Sequence, residues 1–528
     1  MESIKKIRNK ILGCICFLSI QFLGTAQVSK NIPANFYTNP ILHADYSDPD
    51  AIRVGDYYYM IASSFNHVPG LPILASTNLV DWQLIGHALN TQTPTAHFEK
   101  VQHGGGVWAP SIRFHNNEFY IYYPDPDFGF YLTKSKNISG PWSTPELVAE
   151  GKGLIDPCPL WDDNGKVYLV HAFAGSRAGI KSLLAIKELN ARGTKAIRKS
   201  ELVYDGHGID PTIEGPKFYK RGDWYYIFAP AGGVSTGWQT VLRSKKVYGP
   251  YERKVVMDQG SSKTNGPHQG AWVSTPLGED WFIHFQDKDA YGRIVHLQPM
   301  HWNANWPVIG LDTDGDGKGE PVAMFKRPNI LNRQPALPTL DTSLEWQWQA
   351  NPQSNWTYHL GKEKRFYAIP KTDTTLNYWT TPSLYLQKIP AENFTTIAEI
   401  TFNAEQVGER AGFMVFGMDY AAIVLEKTIS GLQVKYLECK QADKNKPEQV
   451  QTISNYTSKH IFLKLAVNEG AICTFSFSAD GVNYSAPTKQ FVAKPGKWVG
   501  AKMGIFCAAE KSTNDAGYLI VNSFTTKK

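Results

Sequence analysis

One short pattern recurs five times between residues 44 and 285. Each copy begins with a lead residue, continues through a short strand and a polar turn, and ends in a strand rich in aromatic and β-branched residues. The lead residues are Asp48, Trp108, Asp156, Glu214 and His268, separated by 60, 48, 58 and 54 positions. Repeats of roughly this length are typical of solenoids, propellers and arrays. Because each copy contains hairpins and no amphipathic helix, the pattern predicts a β-propeller.

Further strand segments follow each copy, so each supplies about four strands, which is one blade. Five blades account for residues 35–325. Residues 326–342 contain three prolines and are predicted to be a linker. From residue 343 to 528, short alternating strands are separated by turns about every ten residues, which is typical of a β-sandwich. The sequence therefore predicts an all-β protein, a five-bladed β-propeller followed by a β-sandwich.

Residues 1–26 have the composition of a secretory signal peptide. A basic segment at residues 5–10 precedes an apolar run at residues 11–23, and small residues follow. The run is too short to span a bilayer comfortably, so we expect an exported, periplasmic or secreted protein without a membrane span in the mature chain. Removing this segment lowers the formal net charge from +6 to +3, because four basic residues and one acidic residue are lost. Such a balance argues against a nucleic-acid partner and leaves the oligomeric state open.

The cysteines outside that segment are widely spaced and form no CxxC pattern. They are Cys158, Cys439, Cys473 and Cys507. This spacing argues against a metal cluster. A disulfide among the last three is compatible with export, and buried free thiols are an equally good interpretation.

Three of the five lead residues are carboxylates, and this is the strongest chemical signal in the chain. In a propeller, equivalent residues of successive blades converge at one mouth of the central channel. Asp48, Asp156 and Glu214 should therefore share one partly desolvated site, although a single Asp-Pro usually only begins a turn. Burial and like charge separate the pKa values of such neighbours. Separated acid and base roles are what glycoside hydrolysis requires.

The lead segments also resemble a known family. They read Tyr46-Ser47-Asp48-Pro49-Asp50, Gly106-Val107-Trp108-Ala109-Pro110-Ser111, Gly153-Leu154-Ile155-Asp156-Pro157, Ile213-Glu214-Gly215-Pro216 and Gly292-Arg293-Ile294-Val295-His296-Leu297-Gln298-Pro299. This set is similar to glycoside hydrolase family 43, whose five-bladed propeller enzymes include β-xylosidases, α-L-arabinofuranosidases and arabinanases. The resemblance covers the whole propeller.

The family's inverting mechanism implies a role for each carboxylate. Asp48 resembles the general base that activates water, and Glu214 resembles the general acid that protonates the leaving oxygen. Asp156 resembles the third carboxylate, which orients the acid and adjusts its pKa. The carboxyl groups of Asp48 and Glu214 should then lie about 6.5–9.5 Å apart. No cofactor is required by this chemistry.

The resemblance also implies sugar-binding residues. Phe65 resembles an aromatic that flanks the terminal sugar, Trp108 a stacking wall, and Arg293 a ligand of sugar hydroxyls. The alternatives are ordinary core packing for the two aromatics and a salt bridge for Arg293. His268 is expected near the substrate, either beside a structural Ca²⁺ in the channel or hydrogen-bonded to a catalytic carboxylate. The resemblance implies that water supplies most ligands of such an ion, and since Ca²⁺ prefers oxygen, a histidine contact would be an unusual minority one.

An acidic segment at residues 312–320 has some features of a calcium-binding EF-hand loop. Such a loop needs a bidentate Glu at its twelfth position, which here is Ala323. No flanking helices are predicted either. A polar hairpin tip is therefore the better interpretation.

The C-terminal sandwich resembles the lectin-like, concanavalin-type accessory domain of many family 43 xylosidases. The matching segment is Leu344-Glu345-Trp346-Gln347-Trp348, and Trp346, Trp348 and Trp356 are predicted core residues. The resemblance leaves three roles open: lending a loop to the active-site rim, binding glycan, or shielding the propeller edge. The loops at residues 92–106 and 231–239 are expected to set substrate preference.

The function that follows is an exo-acting, inverting glycosidase. Its expected substrates are plant hemicellulose or pectin-derived oligosaccharides with terminal β-D-xylosyl or α-L-arabinofuranosyl residues. One rival is a retaining, fructosidase-like hydrolase of the same architecture. Its motifs, Asn-Asp-Pro-Asn-Gly and Glu-Cys, differ from the segments around Asp48 and Glu214. The other rival is a non-catalytic glycan-binding propeller, in which one of the three carboxylates would be missing or point away.

Overall fold

The computed structural model describes residues 32–330, 335–371, 376–512 and 514–528. The predicted signal peptide lies outside these residues. The described chain is all-β, and its helices are short: the α-helix Gly175–Ala178 and the 3-10 helices Asp289–Tyr291, Thr342–Glu345 and Ala442–Lys444. Within the described ranges, no helix has the length and apolar character needed to cross a membrane.

Five antiparallel four-stranded sheets form the five blades, in chain order. The strands are Asp50–Val54, Tyr57–Ile61, Gly70–Ser76 and Gln83–Leu89 in blade one; Ser111–His115, Glu118–Asp125, Gly129–Ser135 and Glu146–Glu150 in blade two; Leu154–Trp161, Val167–Phe173, Leu183–Leu189 and Glu201–Asp205 in blade three; Lys217–Arg221, Trp224–Ala231, Trp238–Ser244 and Glu252–Met257 in blade four; His268–Ser274, Asp280–Asp287, Arg293–Asn303 and Trp306–Ile309 in blade five. The second and third strands are buried on both faces because neighbouring blades pack against them, which suits their aromatic and β-branched residues.

Tight turns connect the first and second strands. In blade two, His115 pairs with Glu118, and the two residues between them, Asn116 and Asn117, have φ of 49° and 60°. Two positive φ values in a two-residue loop are the signature of a type I′ turn, which favours Asn and matches the twist of the strands. Such turns allow the second strand to pair directly with the first strand, which lies next to the central channel.

The ring of blades is closed. The first strands of blades one to four touch in order, and the first strand of blade five touches blade four on one side and blade one on the other. An N-terminal strand, Phe36–Thr38, pairs with Met324–Lys326 after blade five. The hydroxyl of Tyr37 also donates to the carbonyl of Leu297 in blade five at 2.8 Å. The two ends of the propeller segment are thereby held together, and Lys326, predicted as the first linker residue, belongs to a strand.

The C-terminal region is a sandwich of two sheets, whose strands pair antiparallel except for Ile369–Pro370, which pairs in parallel with Lys502–Ala509. The strands of the first sheet, in order across it, are Gln347–Trp348, Tyr385–Lys388, Lys502–Ala509, Arg410–Phe416, Tyr420–Thr428, Gly431–Cys439 and Gln449–Tyr456, and Ile369–Pro370 also pairs with Lys502–Ala509. The strands of the second sheet, in order, are Thr357–Leu360, Glu363–Tyr367, Tyr518–Lys527, Phe394–Asn403, His460–Asn468, Ile472–Ser478 and Phe491–Val492. Phe394–Asn403 alternates buried and half-buried residues, so one face meets the core. Lys502–Ala509 is buried on both faces because further side chains cover its outer face.

Three details of the sandwich and the outer loops match expectations. Trp348 and Trp356 are buried in the sandwich core, and Trp346 packs against it. The four cysteines in the described ranges are buried free thiols, so that alternative to a disulfide is the correct one. The acidic segment is a loop closed by an antiparallel bridge between Leu311 and Glu320. Carboxylate oxygens of Asp312, Asp314 and Asp316 converge there at the surface.

The sandwich packs directly against the propeller. Val68 and Trp348 exchange two backbone hydrogen bonds across the interface, at 2.6 and 3.0 Å. The carboxylate of Asp45, three residues before the first lead residue, accepts hydrogen bonds from the backbone N–H groups of Arg293 and Gly500. These contacts hold the loop around Gly500 beside the mouth of the channel.

Candidate active site

A cavity of about 690 Å³ opens at the mouth of the channel. It is lined by residues from all five blades and one from the sandwich: Asp48, Phe65, Trp108, Ala109, Ile155, Asp156, Phe173, Ala174, Gly175, Ser176, Gly179, Ile180, Lys181, His207, Thr212, Glu214, Val234, Gln269, Arg293 and Trp498. The three predicted carboxylates therefore share one cavity with Phe65, Trp108 and Arg293. This volume is in the range of sites for small ligands.

Asp48 is 6% exposed and accepts hydrogen bonds from Ser63 and Arg293. The hydroxyl of Ser63 donates to its Oδ2 at 2.5 Å, and Nη1 of Arg293 donates to its Oδ1 at 3.1 Å. Arg293 thus forms the salt bridge that one sequence alternative predicts, and it also lines the cavity, while its binding of sugar hydroxyls stays a prediction. Its guanidinium is stacked over the ring of Phe285, with 4.9 Å to the ring centroid.

Asp48 and Asp156 share an unusual backbone conformation. Their φ values are 56° and 58°, in the left-handed region that residues with a Cβ seldom adopt. Such strain persists only where the surrounding structure imposes it, and it concentrates at functional sites. The two positions are equivalent in blades one and three, so the repeat places the same strained turn at the channel mouth twice.

Asp156 is fixed by the segment that follows Glu214. Its Oδ2 accepts a hydrogen bond from the backbone N–H of Gly215 at 2.7 Å. Gly215 has φ of +58°, and a Cβ there would lie 2.2 Å from the side chain of Gln269, so only glycine fits. Burial raises the pKa of Asp156, the bond from Gly215 lowers it, and the charge of Asp48 raises it further. The net direction is upward.

Glu214 is the more accessible carboxyl group, with a quarter of its side chain exposed. Burial, followed by the charges of Asp156 and Asp48, raises its pKa to about 8, while Arg293 and Lys181 act weakly in the opposite direction. A carboxyl group in this state is protonated at neutral pH and faces the cavity. Glu214 is thus suited to donate a proton, as the sequence predicts for a general acid.

His268 lies behind Glu214 and is only 1% exposed. Its Nε2 is 3.7 Å from Oε1 of Glu214, too long for a hydrogen bond, and neither ring nitrogen has a partner among the described residues. Burial, with the charge of Arg293, lowers its pKa to about 3, so the ring is neutral. His268 does not belong to the described residues that line the cavity, and its predicted contact with sugar stays a prediction.

Aromatic rings form one wall of the cavity. The ring centroids of Phe65 and Trp108 are 6.4 Å apart, and Nε1 of Trp108 donates to the carbonyl of Gly104 at 2.9 Å. Phe65 has φ of 50°, a third positive value at this site. Phe65 is buried, as the core-packing alternative predicts, and it also lines the cavity, while its contact with a sugar stays a prediction.

The sandwich contributes Trp498, which the sequence analysis missed. Its ring lies 6.4 Å from that of Trp108, and almost half of its surface is exposed. It too has a positive φ, 67°. The loop that carries it is anchored by the bond from Gly500 to Asp45. Of the three roles left open for the sandwich, the structure therefore shows the contribution of a rim residue.

The opposite side of the cavity is formed by residues between the strands of blades three and four. Lys181, His207 and Thr212 lie there, together with Val234 from one of the two loops expected to set substrate preference. The Lys181 ammonium donates to the hydroxyl of Thr212 at 3.1 Å. These residues carry no motif, so only their position in loops could have suggested them.

Family comparisons agree with this geometry. The model of glycosyl hydrolases family 43 matches residues 37–307, and that of the β-xylosidase C-terminal concanavalin A-like domain matches residues 339–527. A putative β-xylosidase of Xylanibacter ruminicola is 35% identical over 476 residues, which are 89% of this chain and 85% of that protein.

A non-reducing end α-L-arabinofuranosidase of Bacteroides ovatus is 29% identical, over 78% of this chain and 80% of its own. A solved xylan β-1,4-xylosidase from Bacillus halodurans superimposes with a TM-score of 0.80 at 22% identity, over 93% of this chain and all of the other. That similarity supports the fold. Since the family model covers the propeller that carries the three carboxylates, the chain belongs to glycosyl hydrolase family 43 and is a glycosidase.

Proposed function

We propose that this enzyme is an exo-acting, inverting glycosidase that removes terminal β-D-xylosyl or α-L-arabinofuranosyl residues from plant hemicellulose or pectin-derived oligosaccharides. The observation that supports this proposal is the shared cavity, in which Asp48, Asp156 and Glu214 lie in three different environments. A non-catalytic propeller would not need a protonated Glu214 in the same cavity as an Asp48 carboxylate that accepts hydrogen bonds from Ser63 and Arg293.

Asp48 acts as the general base. Ser63 and Arg293 both donate to it, which leaves the remaining lone pairs of its carboxylate free to accept a proton from water. The water attacks the anomeric carbon while the bond to the leaving oxygen breaks. The proton removed from water passes to Asp48, and the configuration at the anomeric carbon inverts.

Glu214 acts as the general acid and gives its proton to the leaving oxygen. Its raised pKa keeps that proton bound at neutral pH. Asp156 orients the acid, because it holds the N–H of Gly215 next to it. The separation of about 6.5–9.5 Å between the carboxyl groups of Asp48 and Glu214 stays a prediction of the inverting mechanism.

The cavity favours a terminal sugar over an internal one. All five blades and the sandwich contribute to its wall, so a sugar that reaches Asp48 lies in a pocket at the end of the channel and not in a groove that runs across the surface. Phe65 and Trp108 supply apolar faces for the ring, and Arg293 supplies donors for its hydroxyl groups. The printed names of the relatives, β-xylosidase and α-L-arabinofuranosidase, support the choice of these two pentoses.

The test uses the wild-type enzyme and the Asp48→Asn and Glu214→Gln variants on nitrophenyl xylosides and arabinofuranosides, xylo-oligosaccharides and arabinan. We expect release of single pentoses, with the inverted anomer appearing first by proton NMR. The retained anomer would favour the fructosidase-like rival. Binding without turnover would favour a non-catalytic propeller, and near-wild-type turnover by Asp48→Asn would rule out the mechanism.

A structural Ca²⁺ in the channel is not supported by the residues around His268. Its unpaired ring nitrogens could face a cation, but within the described ranges it belongs to no group of three acidic, His or Cys side chains that could hold one. Lys217, whose hydrogen-bond acceptors are both neutral, also places a positive charge in the channel. We therefore propose that the channel of this enzyme holds no calcium ion. The prediction is that EDTA leaves its turnover unchanged.

We also propose export, on the order of basic, apolar and small residues in residues 1–26. Export would bring the enzyme to plant oligosaccharides outside the cytoplasm. Cell fractionation with N-terminal sequencing of the mature protein tests this. A mature chain that retains residues 1–26 would contradict it.

A further inference from the structure

Lys217 is a lysine buried at the centre of the propeller, with 1% of its surface exposed. It begins the first strand of blade four, three residues after Glu214. Its ammonium group donates to the carbonyl of Pro110 at 2.8 Å and to the hydroxyl of Ser111 at 2.9 Å, both in blade two. Blades two and four are separated by blade three, so this side chain crosses the channel beneath the cavity.

The charge of Lys217 lacks a direct counterion. Both of its hydrogen-bond acceptors are neutral, and no carboxylate in the described ranges lies within 4.0 Å of its ammonium. A buried charge without a partner is costly, and an apolar side chain usually serves packing better. An electrostatic interaction with a carboxylate more than 4.0 Å away therefore best explains why a lysine occupies the centre of the ring.

That carboxylate is Asp156. Among the charged side chains that act on Asp156, Asp48 in blade one disfavours its ionised form and Lys217 in blade four favours it. Glu214 is acted on by Asp156 and Asp48 in one direction and by Arg293 and Lys181 in the other. Lys217 is therefore the cation that most strongly favours the ionised form of Asp156.

The segment from Glu214 to Lys217 links these groups mechanically as well. Its first residue is the proposed acid, its second donates to Asp156, and its fourth is anchored to blade two. We propose that Lys217 is a positioning residue for the hydrolysis, whose fixed ammonium group takes the place of a channel cation and holds Glu214 and Asp156 in register. This inference rests on the proposed roles of those two carboxylates.

The experiment compares Lys217→Met with wild type by the pH dependence of kcat/KM on nitrophenyl xyloside. Without the ammonium, Asp156 binds a proton more readily, and a neutral Asp156 no longer raises the pKa of Glu214. Glu214 then loses its proton at lower pH. We expect the basic limb of the profile to move down by about one pH unit. We also expect kcat at pH 7 to fall at least about tenfold, with KM nearly unchanged.

Two further variants separate this role from simple cross-linking of blades. Lys217→Arg keeps the charge, and its basic limb should stay at the wild-type position even where kcat is lower. Lys220→Met removes a lysine from the same strand that pairs with Asp162 at 2.5 Å, outside the cavity. It should lower thermal stability and leave the pH profile unchanged. A Lys217→Met profile superimposable on that of wild type would overturn the proposal.

A measurement on proteins with intact Lys217 covers the case in which Lys217→Met does not fold. The double variant Asp312→Asn, Asp314→Asn removes the surface carboxylates that could bind calcium by themselves. Its melting temperature should be the same in EDTA and in millimolar CaCl₂. A calcium-dependent rise, together with a calcium ion in the channel of a crystal grown in CaCl₂, would overturn the role given to Lys217. A fully active Glu214→Gln would contradict the proposed function itself. An inactive Glu214→Gln together with a wild-type pH profile for Lys217→Met would contradict only the role given to Lys217.

Discussion

Glu214 and Asp50 are both acidic groups close to the propeller axis, and their surroundings differ. Glu214 faces the cavity, where the charges of Asp156 and Asp48 act on it more strongly than those of Arg293 and Lys181. No Lys or Arg in the described ranges forms an ion pair with it within 4.0 Å. Asp50, two residues beyond Asp48, is fully buried and paired with Nη1 of Arg113 at 2.7 Å. Its Oδ2 also accepts the backbone N–H of Ile112 at 2.8 Å.

The difference shows how the same chemical group becomes reactive or structural. Burial alone would lower the pKa of Arg113, but Asp50 and Cys158 raise it overall, so the guanidinium stays charged. It also donates to the sulfur of Cys158 at 2.7 Å and therefore links blades one, two and three. Without such a cation, burial instead raises the pKa of Glu214. A neighbouring cation thus makes Asp50 a structural link, and its absence leaves Glu214 with a transferable proton.

The comparison is tested most severely by Glu214→Gln. The amide fills the same space but carries no transferable proton, so kcat on xylobiose should fall by about 10³-fold. Its free energy of unfolding at pH 7 should not decrease, since the neutral amide replaces a carboxyl group that is already protonated in the folded state. Steady-state kinetics and urea unfolding measure both, with the exposed Glu201→Gln as a control that should match wild type. A large loss of stability would show that Glu214 is structural as well.

Asp50→Asn should have the opposite effect, with a large loss of stability and little change in turnover. It leaves the Arg113 guanidinium buried without its counterion, which typically costs about 3 kcal/mol of folding free energy. Turnover below the unfolding transition should stay within a few-fold of wild type. Urea unfolding checks the first statement and kinetics at 25 °C the second, with the exposed Asp56→Asn as the control. A fully stable but inactive Asp50→Asn would break the distinction between the two carboxylates.

The pH dependence sharpens the comparison through Glu214. Its pKa is raised on folding to about 8, so the folded state binds the proton more tightly than the unfolded state does. The resulting stabilisation is fully present below the unfolded pKa and is lost as the pH rises through about 8. Wild type should therefore lose more stability than Glu214→Gln between pH 5 and 8.5 in parallel urea titrations. Its kcat/KM should decline on a basic limb near pH 8, and equal slopes in the two proteins would contradict the raised pKa.

The smallest effect is expected at the rim, for Trp498→Ala. Loss of an exposed aromatic contact should raise KM for xylotriose by up to about tenfold, with kcat nearly unchanged, because about 1 kcal/mol of binding is removed. The nitrophenyl substrate, with its shorter leaving group, should be affected less. Tyr358→Ala, which removes an exposed aromatic elsewhere on the sandwich, is the control. Equal KM values for all three proteins would remove Trp498 from the site.

The carboxylates were predictable and the conformations that present them were not. A repeat of nearly constant length places Asp48, Asp156 and Glu214 at equivalent points of successive blades, and blades converge on an axis. The positive φ values at Asp48, Asp156 and Phe65 could not be predicted from the residue types, since Asp adopts this region only occasionally and Phe rarely, and the surrounding packing imposes it. His268 shows the limit of the same logic, because an equivalent position can lie behind the cavity.

The sequence by itself determined the architecture, the family and the acidic groups, since strand periodicity, turn residues and repeat spacing are local properties of a chain. The tertiary structure alone decided which charges meet. Lys217 reaches a carbonyl 107 positions away, and Asp45 binds the N–H of a residue 455 positions away to hold Trp498 at the rim. Contacts of this kind depend on how blades and sandwich pack in three dimensions, and the pKa values of the carboxyl groups follow from that packing.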